Sequence, residues 1–351
     1  MNMKYMPEND DAIKQRLDEF YNGTEKITKL PQDSTTKYAL FSDLHMGDGN
    51  EKADCFVHNE DTLNSALKYY KNKDYSLIFL GDVEDLWIFD LDRIKTRYDE
   101  KIYSLIRSFG DKKVYRILGN HDSAWKFSLD PLLNNGEMIH KSQEAIKLGN
   151  DIFLLHGHQG DYMCDQQAFF NKFFVHYFGR DFNIIGKTFF NYENRSATKS
   201  QIPKTREKLY YDWAKKKKVI LICGHTHNAI YASQSYYWLL KEQLEIKKNE
   251  KEEIKNTDDK DRIDRLTKEI NNLEAKLFDE RKKDRKYNKI PTKGKEPLPC
   301  YFNTGCGLFK KGITNIEIEG DIIRLIKWEK DKRKILRNGK KLSEIRERIN
   351  A

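Results

Sequence analysis

The stretch KKKKVILICGHTHN, residues 215–228, joins an apolar run to a polar motif. Five apolar residues, Val219 to Cys223, run directly into Gly224, His225, Thr226 and His227. A short run without polar residues is typical of a strand that is covered on both faces of its sheet. Both histidines are therefore predicted to lie just beyond the end of a buried strand, where side chains can bind a ligand.

Four more apolar runs have strand length, and helical spacing appears between the first three of them, at about 58–71 and 92–109. The four runs are YALFS (38–42), SLIFL (76–80), VYRIL (114–118) and IFLL (152–155). Strands that alternate with helices predict βαβ units and a layered α/β fold. Three later runs, CYFN (300–303), TNIEI (314–318) and IIRLIKW (322–328), are also predicted as strands, and Glu319-Gly320-Asp321 predicts a hairpin between the last two.

Each of the five main runs is followed by Asp, Asn or His. The endings are Asp43-Leu44-His45, Gly81-Asp82-Val83-Glu84-Asp85, Gly119-Asn120-His121-Asp122, His156-Gly157-His158 and Gly224-His225-Thr226-His227. In open α/β sheets, ligands bind at the carboxyl edge of the strands. Residues two apart in extended backbone point the same way, so Asp43 and His45 could reach one centre, and so could His225 and His227. The glycines at 81, 119 and 224 let the chain turn and approach a ligand closely.

The residue types at these endings indicate a metal site. Imidazole, carboxylate and amide oxygen, without thiolate, suit Mn²⁺, Fe or Zn²⁺ in open sites. About seven such ligands are too many for one ion that keeps open positions, so a pair of ions that share a carboxylate is predicted. Two ions roughly 3.5–4 Å apart form the clamp that enzymes use for in-line displacement at phosphorus.

The order of the motifs D-x-H, G-D-x-x-D, G-N-H-D, H-G-H and G-H-T-H resembles the calcineurin-like metallophosphoesterases, over about residues 37–330. The resemblance implies an α/β, four-layer fold, in which a β-sandwich of two mixed sheets is flanked by helices. It also implies a dinuclear centre above the strand ends, with a metal-bridging hydroxide that attacks a phosphomonoester, a phosphodiester or a pyrophosphate in line. Manganese is the metal we expect first, with iron and zinc as alternatives.

The resemblance assigns roles to individual residues. Asp43, His45 and His227 are implied as ligands of one metal, Asp82 as the bridging carboxylate, and Asn120, His156 and His225 as ligands of the other. His121 is implied to stabilise the phosphoryl group and protonate the leaving oxygen, and Asp85 to orient it. His158 could line the phosphate pocket or simply form a hydrogen bond beside His156. Glu84 could support the metal ligands or face solvent.

Two insertions interrupt the predicted domain at 37–330, and extensions flank it. The extensions are an N-terminal helical segment at 1–36 and a basic tail at 331–351. The insertion at 161–217 is rich in aromatic residues and resembles, with GDVEDLWIFD (81–90), the branch that contains bacterial UDP-diacylglucosamine pyrophosphatases. That branch implies a helical cap whose basic side chains grip phosphates, here Arg195, Lys199, Lys204 and Arg206. Ordinary packing of an inserted helix pair is the alternative.

The insertion at 234–290 is mostly charged. Its Ile263, Leu266, Ile270, Leu273 and Leu277 have the 3-4-3-4 spacing of a coiled-coil seam, and NTDD (256–259) divides the segment, which predicts an antiparallel helical hairpin. Such a hairpin could bind a partner or join two copies of the chain.

The formal net charge of +9 is concentrated near the C-terminus, where residues 321–351 hold 11 Lys and Arg against 5 Asp and Glu. A solvated helix or a footprint for phosphate polymers or anionic lipid would explain it. A nuclease is the second enzymatic interpretation and a non-catalytic scaffold the third, but no DNA-binding module is recognisable, so nucleic acid ranks below a smaller phosphoester. No apolar stretch of membrane-spanning length, no signal peptide and no paired cysteines are found, which predicts a cytoplasmic protein.

Overall fold

The computed structural model describes residues 10–23, 27–50, 53–110, 112–123, 144–159, 202–234, 236–255, 259–287, 296–310 and 312–351. Its strands are β1 (Ile27–Leu30), β2 (Lys37–Phe41), β3 (Ser76–Leu80), β4 (Val114–Ile117), β5 (Ala145–Leu148), β6 (Ile152–Leu155), β7 (Ile220–Cys223), β8 (Ala229–Ile230), β9 (Tyr301–Thr304), β10 (Ile313–Glu319), β11 (Ile322–Glu329) and β12 (Lys332–Lys341). Its helices are α1 (Asp10–Asn22), α2 (Glu60–Asn72), α3 (Leu91–Tyr98), α4 (Ser104–Arg107), α5 (Ile202–Lys217), α6 (Tyr236–Ile254), α7 (Lys260–Tyr287) and α8 (Leu342–Asn350), with a 3₁₀ turn at Phe56–Asn59 and a π turn at Asp99–Tyr103.

The strands form two mixed sheets of six strands each. The first sheet has the order β12-β11-β10-β2-β3-β4, and the second has the order β1-β5-β6-β7-β9-β8. In the first sheet β2, β3 and β4 are parallel, and in the second β6, β7 and β9 are parallel. The remaining pairs are antiparallel apart from β1 with β5.

Successive residues of the central strands face different apolar layers. Leu40 of β2 packs in the core between the sheets, while its neighbour Phe41 packs on the other side, under α2 and α3. Both faces are therefore covered, which explains why these strands are apolar without alternation. Helices α1, α5 and α8 contribute buried residues to the same core as the second sheet. The predicted sandwich of two mixed sheets flanked by helices is confirmed.

The predicted strands correspond closely to the observed ones, and the hairpin at Glu319-Gly320-Asp321 joins the antiparallel strands β10 and β11. The strands that were not predicted are β1, β5, β8 and β12. They are short or lie at or next to a sheet edge, where polar residues replace the continuous apolar run. The carboxyl ends of the parallel strands in the two sheets are followed by the five polar motifs.

The basic tail predicted for 331–351 is instead part of the fold. Strand β12 pairs with β11 along its length, and α8 buries Leu342, Ile345 and Ile349. Strand β12 lies at the edge of its sheet and α8 buries one face, so the segment needs few apolar residues, and its Lys and Arg residues are exposed or partly exposed apart from the buried Arg337. A charged edge strand also discourages pairing with another sheet. Similarly, the N-terminal extension contributes α1, with Ile13 and Leu17 buried, and β1, which pairs with β5.

The segment predicted as a helical hairpin forms two helices, α6 and α7, that pack on each other. Leu240 and Leu244 of α6 and Leu266 and Ile270 of α7 are buried. Ion pairs cross between the helices from Lys247 to Glu269 and from Lys248 to Glu274, at 3.2 and 2.7 Å. Binding of a partner by this hairpin stays a prediction.

None of the helices in the described part of the chain has both the length and the apolar character required to cross a membrane.

Candidate metal centre

The polar side chains that follow the parallel strands converge in the structure. In each of three groups, the possible ligand atoms of three residues all lie within 4.8 Å of one another. The groups are Asp43 with His45 and His227, Asp82 with His156 and His225, and His45 with Asp85 and His121. The first two groups, here called the first and second half of the centre, match the ligand sets implied by the resemblance, apart from Asn120.

In the first half, ring nitrogens of His45 and His227 and a carboxylate oxygen of Asp43 lie close together. The Nε2 atoms of His45 and His227 are 3.3 Å apart, and His227 Nε2 lies 3.2 Å from Asp43 Oδ1. His45 Nε2 also lies 3.7 Å from Asp82 Oδ2. Burial alone would lower the pKa of His45, but the surrounding carboxylates of Asp85, Asp82 and Asp43 raise that pKa to about 9. The carboxylates around His45 therefore favour positive charge in this half, which a divalent cation could supply in place of a proton.

In the second half, the backbone fixes the tautomer of His156. Its Nδ1–H donates to the carbonyl oxygen of Leu80 at 2.6 Å, so in the neutral ring the lone pair is on Nε2. That nitrogen lies 3.1 Å from Asp82 Oδ2 and 3.2 Å from Asn120 Oδ1, both of which are also acceptors. Three acceptors that face one another fit a cation between them.

Backbone N–H groups hold the two buried aspartates in place. Asp43 accepts the N–H of His225 at 2.9 and 3.1 Å and a hydrogen bond from the Ser42 hydroxyl. Asp82 accepts the N–H of His121 at 2.8 Å on Oδ1, while its Oδ2 faces histidines of both halves. Burial would raise the pKa of Asp82, but His156, His121 and His45 hold it well below its usual value.

Five candidate ligands have left-handed backbone. The φ angles are 52° at Asp43, 49° at His45, 52° at Asp82, 68° at His225 and 58° at His227, and they make up half of the non-glycine residues with positive φ in the described chain. Such conformations are costly for residues with a Cβ atom and concentrate at functional sites.

This backbone corrects the argument from extended geometry. Asp43 and His45 do share a centre, but each is in the left-handed region rather than in a strand. His225 and His227 do not share one, because His225 lies with Asp82 and His156 whereas His227 lies with Asp43 and His45. The two-residue spacing therefore does not decide which half a histidine joins.

Glycines make room for the two carboxylates. A Cβ atom on Gly119 would lie 2.1 Å from Asp82 Oδ1, and one on Gly224 would lie 2.5 Å from Asp43 Oδ2. The sequence predicted that these glycines allow close approach to a ligand. The groups that approach are the side chains of the aspartates themselves.

His121 is held from two sides. Its Nδ1 lies 2.7 Å from Asp85 Oδ1, and the ring stacks on Trp87 with the centroids 3.8 Å apart. The side chain of His121 keeps 14% of its surface exposed, so its ring is accessible. Burial would raise the pKa of Asp85, but His121 and His45 hold it low, so Asp85 remains a carboxylate. Trp87 was not predicted as a site residue, although it lies only two residues beyond Asp85.

Glu84 is fully buried rather than solvent-facing. Arg116 binds both Glu84 and Asp122, the latter at 2.8 Å, and the Tyr103 hydroxyl donates to Glu84 at 2.8 Å. Asp122 also accepts the backbone N–H groups of Gly119 and Val83, at 2.6 and 3.0 Å. This buried network joins the loop that carries Asp82 to the loop that carries Asn120 and His121. Arg116 was missed, and its one signal was a charge inside the apolar run VYRIL.

Replacing Arg116 by Met is expected to lower the free energy of unfolding by about 3–5 kcal/mol, because Glu84 and Asp122 would stay buried without their cation. Chemical denaturation of the metal-free protein measures this. Lys208→Met, which breaks a half-exposed pair with Asp212, is the control and should cost less than about 1 kcal/mol. Equal losses in the two variants would show that the network does not hold the loops.

The predicted substrate-binding residues are placed unevenly. Arg206 is buried on α5, with Nη1 2.9 Å from His225 Nε2. The ring of His158 is buried 5.4 Å from that of His156, which puts it beside the second half, and its contact with a phosphate stays a prediction. Arg195, Lys199 and the side chain of Lys204 lie outside the described residues, as does most of the predicted aromatic cap.

The donor set fits divalent cations of the manganese, iron or zinc type. It consists of imidazole nitrogens, carboxylates and one amide oxygen, and these ligand atoms lie close together. Manganese binding is expected to tighten as the pH rises towards 9. The pKa values of His45 and His156 are both about 9, since nearby carboxylates outweigh the effect of burial, so below that pH a cation must displace protons.

Calorimetric titration at about pH 6.5 and about pH 8.5, in buffers with different ionisation enthalpies, measures both the affinity and the protons released. Binding without pH dependence or proton release would contradict the prediction.

A family model described as calcineurin-like phosphoesterase matches residues 36–229, more than half of the 351 residues. The matched region includes every residue of the two halves of the centre. Neither the curated proteins nor the solved structures that were compared gave a match to the chain.

Proposed function

The chain belongs to the calcineurin-like phosphoesterase family, and from that premise we propose that it hydrolyses a phosphoester with the help of two divalent cations, manganese first among them. The observation that carries the proposal is the convergence of acceptor atoms in two adjoining groups, with Asp82 Oδ2 facing histidines of both. This arrangement supports Asp82 as the shared ligand.

Two divalent cations held at this site would supply an activated water molecule and positive charge for the phosphate oxygens during in-line displacement. Asp43, His45 and His227 would hold one cation, and Asn120, His156 and His225 the other. His121, which is fixed by Asp85 and Trp87, would direct its second ring nitrogen at the phosphoryl group and protonate the leaving oxygen. The network of Glu84, Arg116 and Asp122 would hold the loop that carries Asp82 and the loop that carries Asn120 and His121 in fixed positions.

Within this function, the substrate could be a monoester, a diester or a pyrophosphate. The likeness of the sequence to UDP-diacylglucosamine pyrophosphatases supports a lipid-linked pyrophosphate, and the positive net charge supports a nucleic acid. We propose the cytoplasm as the location, since Cys55, Cys223, Cys300 and Cys306 are all free thiols.

The experiment is hydrolysis by metal-stripped protein, with and without added Mn²⁺, of a panel of phosphoesters. The panel contains a chromogenic monoester, a chromogenic diester, UDP-sugar pyrophosphates and single-stranded DNA. Manganese-dependent turnover would support the proposal, and the preferred substrate would choose among the alternatives. If two cations bind and none of the panel is hydrolysed, a non-catalytic scaffold becomes the better interpretation.

A further inference from the structure

The contact between Arg206 and His225 is unusual for a histidine that should bind a metal. Arg206 Nη1 lies 2.9 Å from His225 Nε2, and the arginine side chain is buried, with 2% of its surface exposed. A guanidinium group has only donors, and therefore the imidazole nitrogen must be the acceptor. The lone pair of Nε2 is already occupied.

This contact leaves His225 without a nitrogen for a cation. A neutral imidazole has one N–H and one lone pair. If Nε2 accepts from Arg206, the proton of the ring is on Nδ1, and neither nitrogen can bind a metal. Hydrogen bonding to Arg206 and ligation of a cation by His225 therefore exclude each other.

The two halves of the centre differ in this respect. His227 Nε2, in the first half, faces the Asp43 carboxylate at 3.2 Å, which favours positive charge at that point. In the second half, His156 Nε2 likewise faces the Asp82 carboxylate at 3.1 Å, but His225 Nε2 faces the guanidinium of Arg206. The hydrogen bond from Arg206 to that lone pair opposes cation binding there.

We propose that Arg206 competes with a divalent cation for His225, so that the second half binds its cation more weakly than the first and only after the guanidinium has released the histidine. The inference rests on the proposed function, because it concerns the metal loading of the same site. It makes Arg206 a regulator of metal occupancy, whereas the sequence assigned it only to substrate binding.

The test is calorimetric titration of the metal-stripped full chain with Mn²⁺, together with electron paramagnetic resonance, which detects pairs of exchange-coupled Mn²⁺ ions. The wild-type chain should bind in two steps whose dissociation constants differ about tenfold or more. Arg206→Met, which keeps a long stem but has no donor, should tighten the second step about tenfold and leave the first unchanged. Arg206→Lys, which keeps a cation, should tighten it less.

The controls separate the possible failures. Lys208→Met, two residues along the same helix, should leave both steps as in the wild type. Two equal steps in the wild type, or a weaker second step in Arg206→Met, would overturn the inference while the proposed function stands. Absence of any tight Mn²⁺ step would instead count against the proposed function.

A second measurement needs no change at Arg206. Long-range ¹H–¹⁵N spectra of the metal-free chain report the tautomer of each imidazole, and comparison with His225→Gln identifies the signal of His225. The inference requires a proton on Nδ1 and none on Nε2. A proton on Nε2, in either the neutral or the charged ring, would overturn it.

Discussion

Asp82→Asn is expected to reduce manganese-dependent hydrolysis by at least about 1,000-fold. The substitution keeps the shape of the side chain but removes its negative charge, and Asp82 Oδ2 lies within 3.7 Å of His45 and 3.1 Å of His156. A neutral amide there would weaken both cation positions at once. The steady-state rate of hydrolysis and the metal content of the protein should therefore both fall.

The control for this variant is Asp48→Asn, a charge-neutralising change in the loop that follows β2. Asp48 pairs with Arg93 at 3.8 Å and belongs to neither half of the centre. Its hydrolysis and metal content should stay close to those of the wild type. An Asp82→Asn protein that retained both cations and most of its activity would refute the shared-ligand role.

His121→Ala is expected to lower kcat by about 100- to 10,000-fold while both cations remain bound. His121 contacts Asp85 and Trp87 and belongs to neither ligand half, so its removal takes away the proposed proton donor but no metal ligand. Kinetics on the preferred substrate, with metal analysis of the same samples, measure both parts of the prediction.

Asp85→Asn is the companion variant. It keeps a hydrogen-bonding partner for the ring but loses the carboxylate, so we expect a smaller fall in kcat. Loss of the cations from His121→Ala would mean that this histidine is a ligand and that its assigned role is wrong.

The central strands could be predicted because both of their faces are buried. Leu40 and Phe41 point to different sides of β2, and both sides are covered. No polar residue therefore breaks the apolar run by which the strand is recognised. Strand β12 is the opposite case. It lies at a sheet edge, and most residues of its sequence KRKILRNGKK are exposed to solvent. The composition of the segment alone therefore suggested a tail.

The types of ligand could be predicted, but not how the loops bring them together. The order of the motifs and the chemistry of their side chains predicted which residues lie close together, including Asp43, His156 and His227. Residue spacing could not show that His225 and His227 separate, because this depends on left-handed φ angles. Residue spacing also could not predict the buried contacts of Arg116 or the contact of Arg206 with His225, since these contacts join separate segments of the chain.

The left-handed ligands imply a conflict between heat resistance and metal binding. Each such φ angle costs a residue with a Cβ atom on the order of 1 kcal/mol, and glycine or asparagine tolerates it better than histidine does. Gly or Asn at His45, His225 or His227 would therefore relieve strain while destroying the centre. Selection for thermal stability alone should favour such substitutions. Variants that carry them, and no longer bind metal, are expected to have higher melting temperatures than the metal-free wild-type protein.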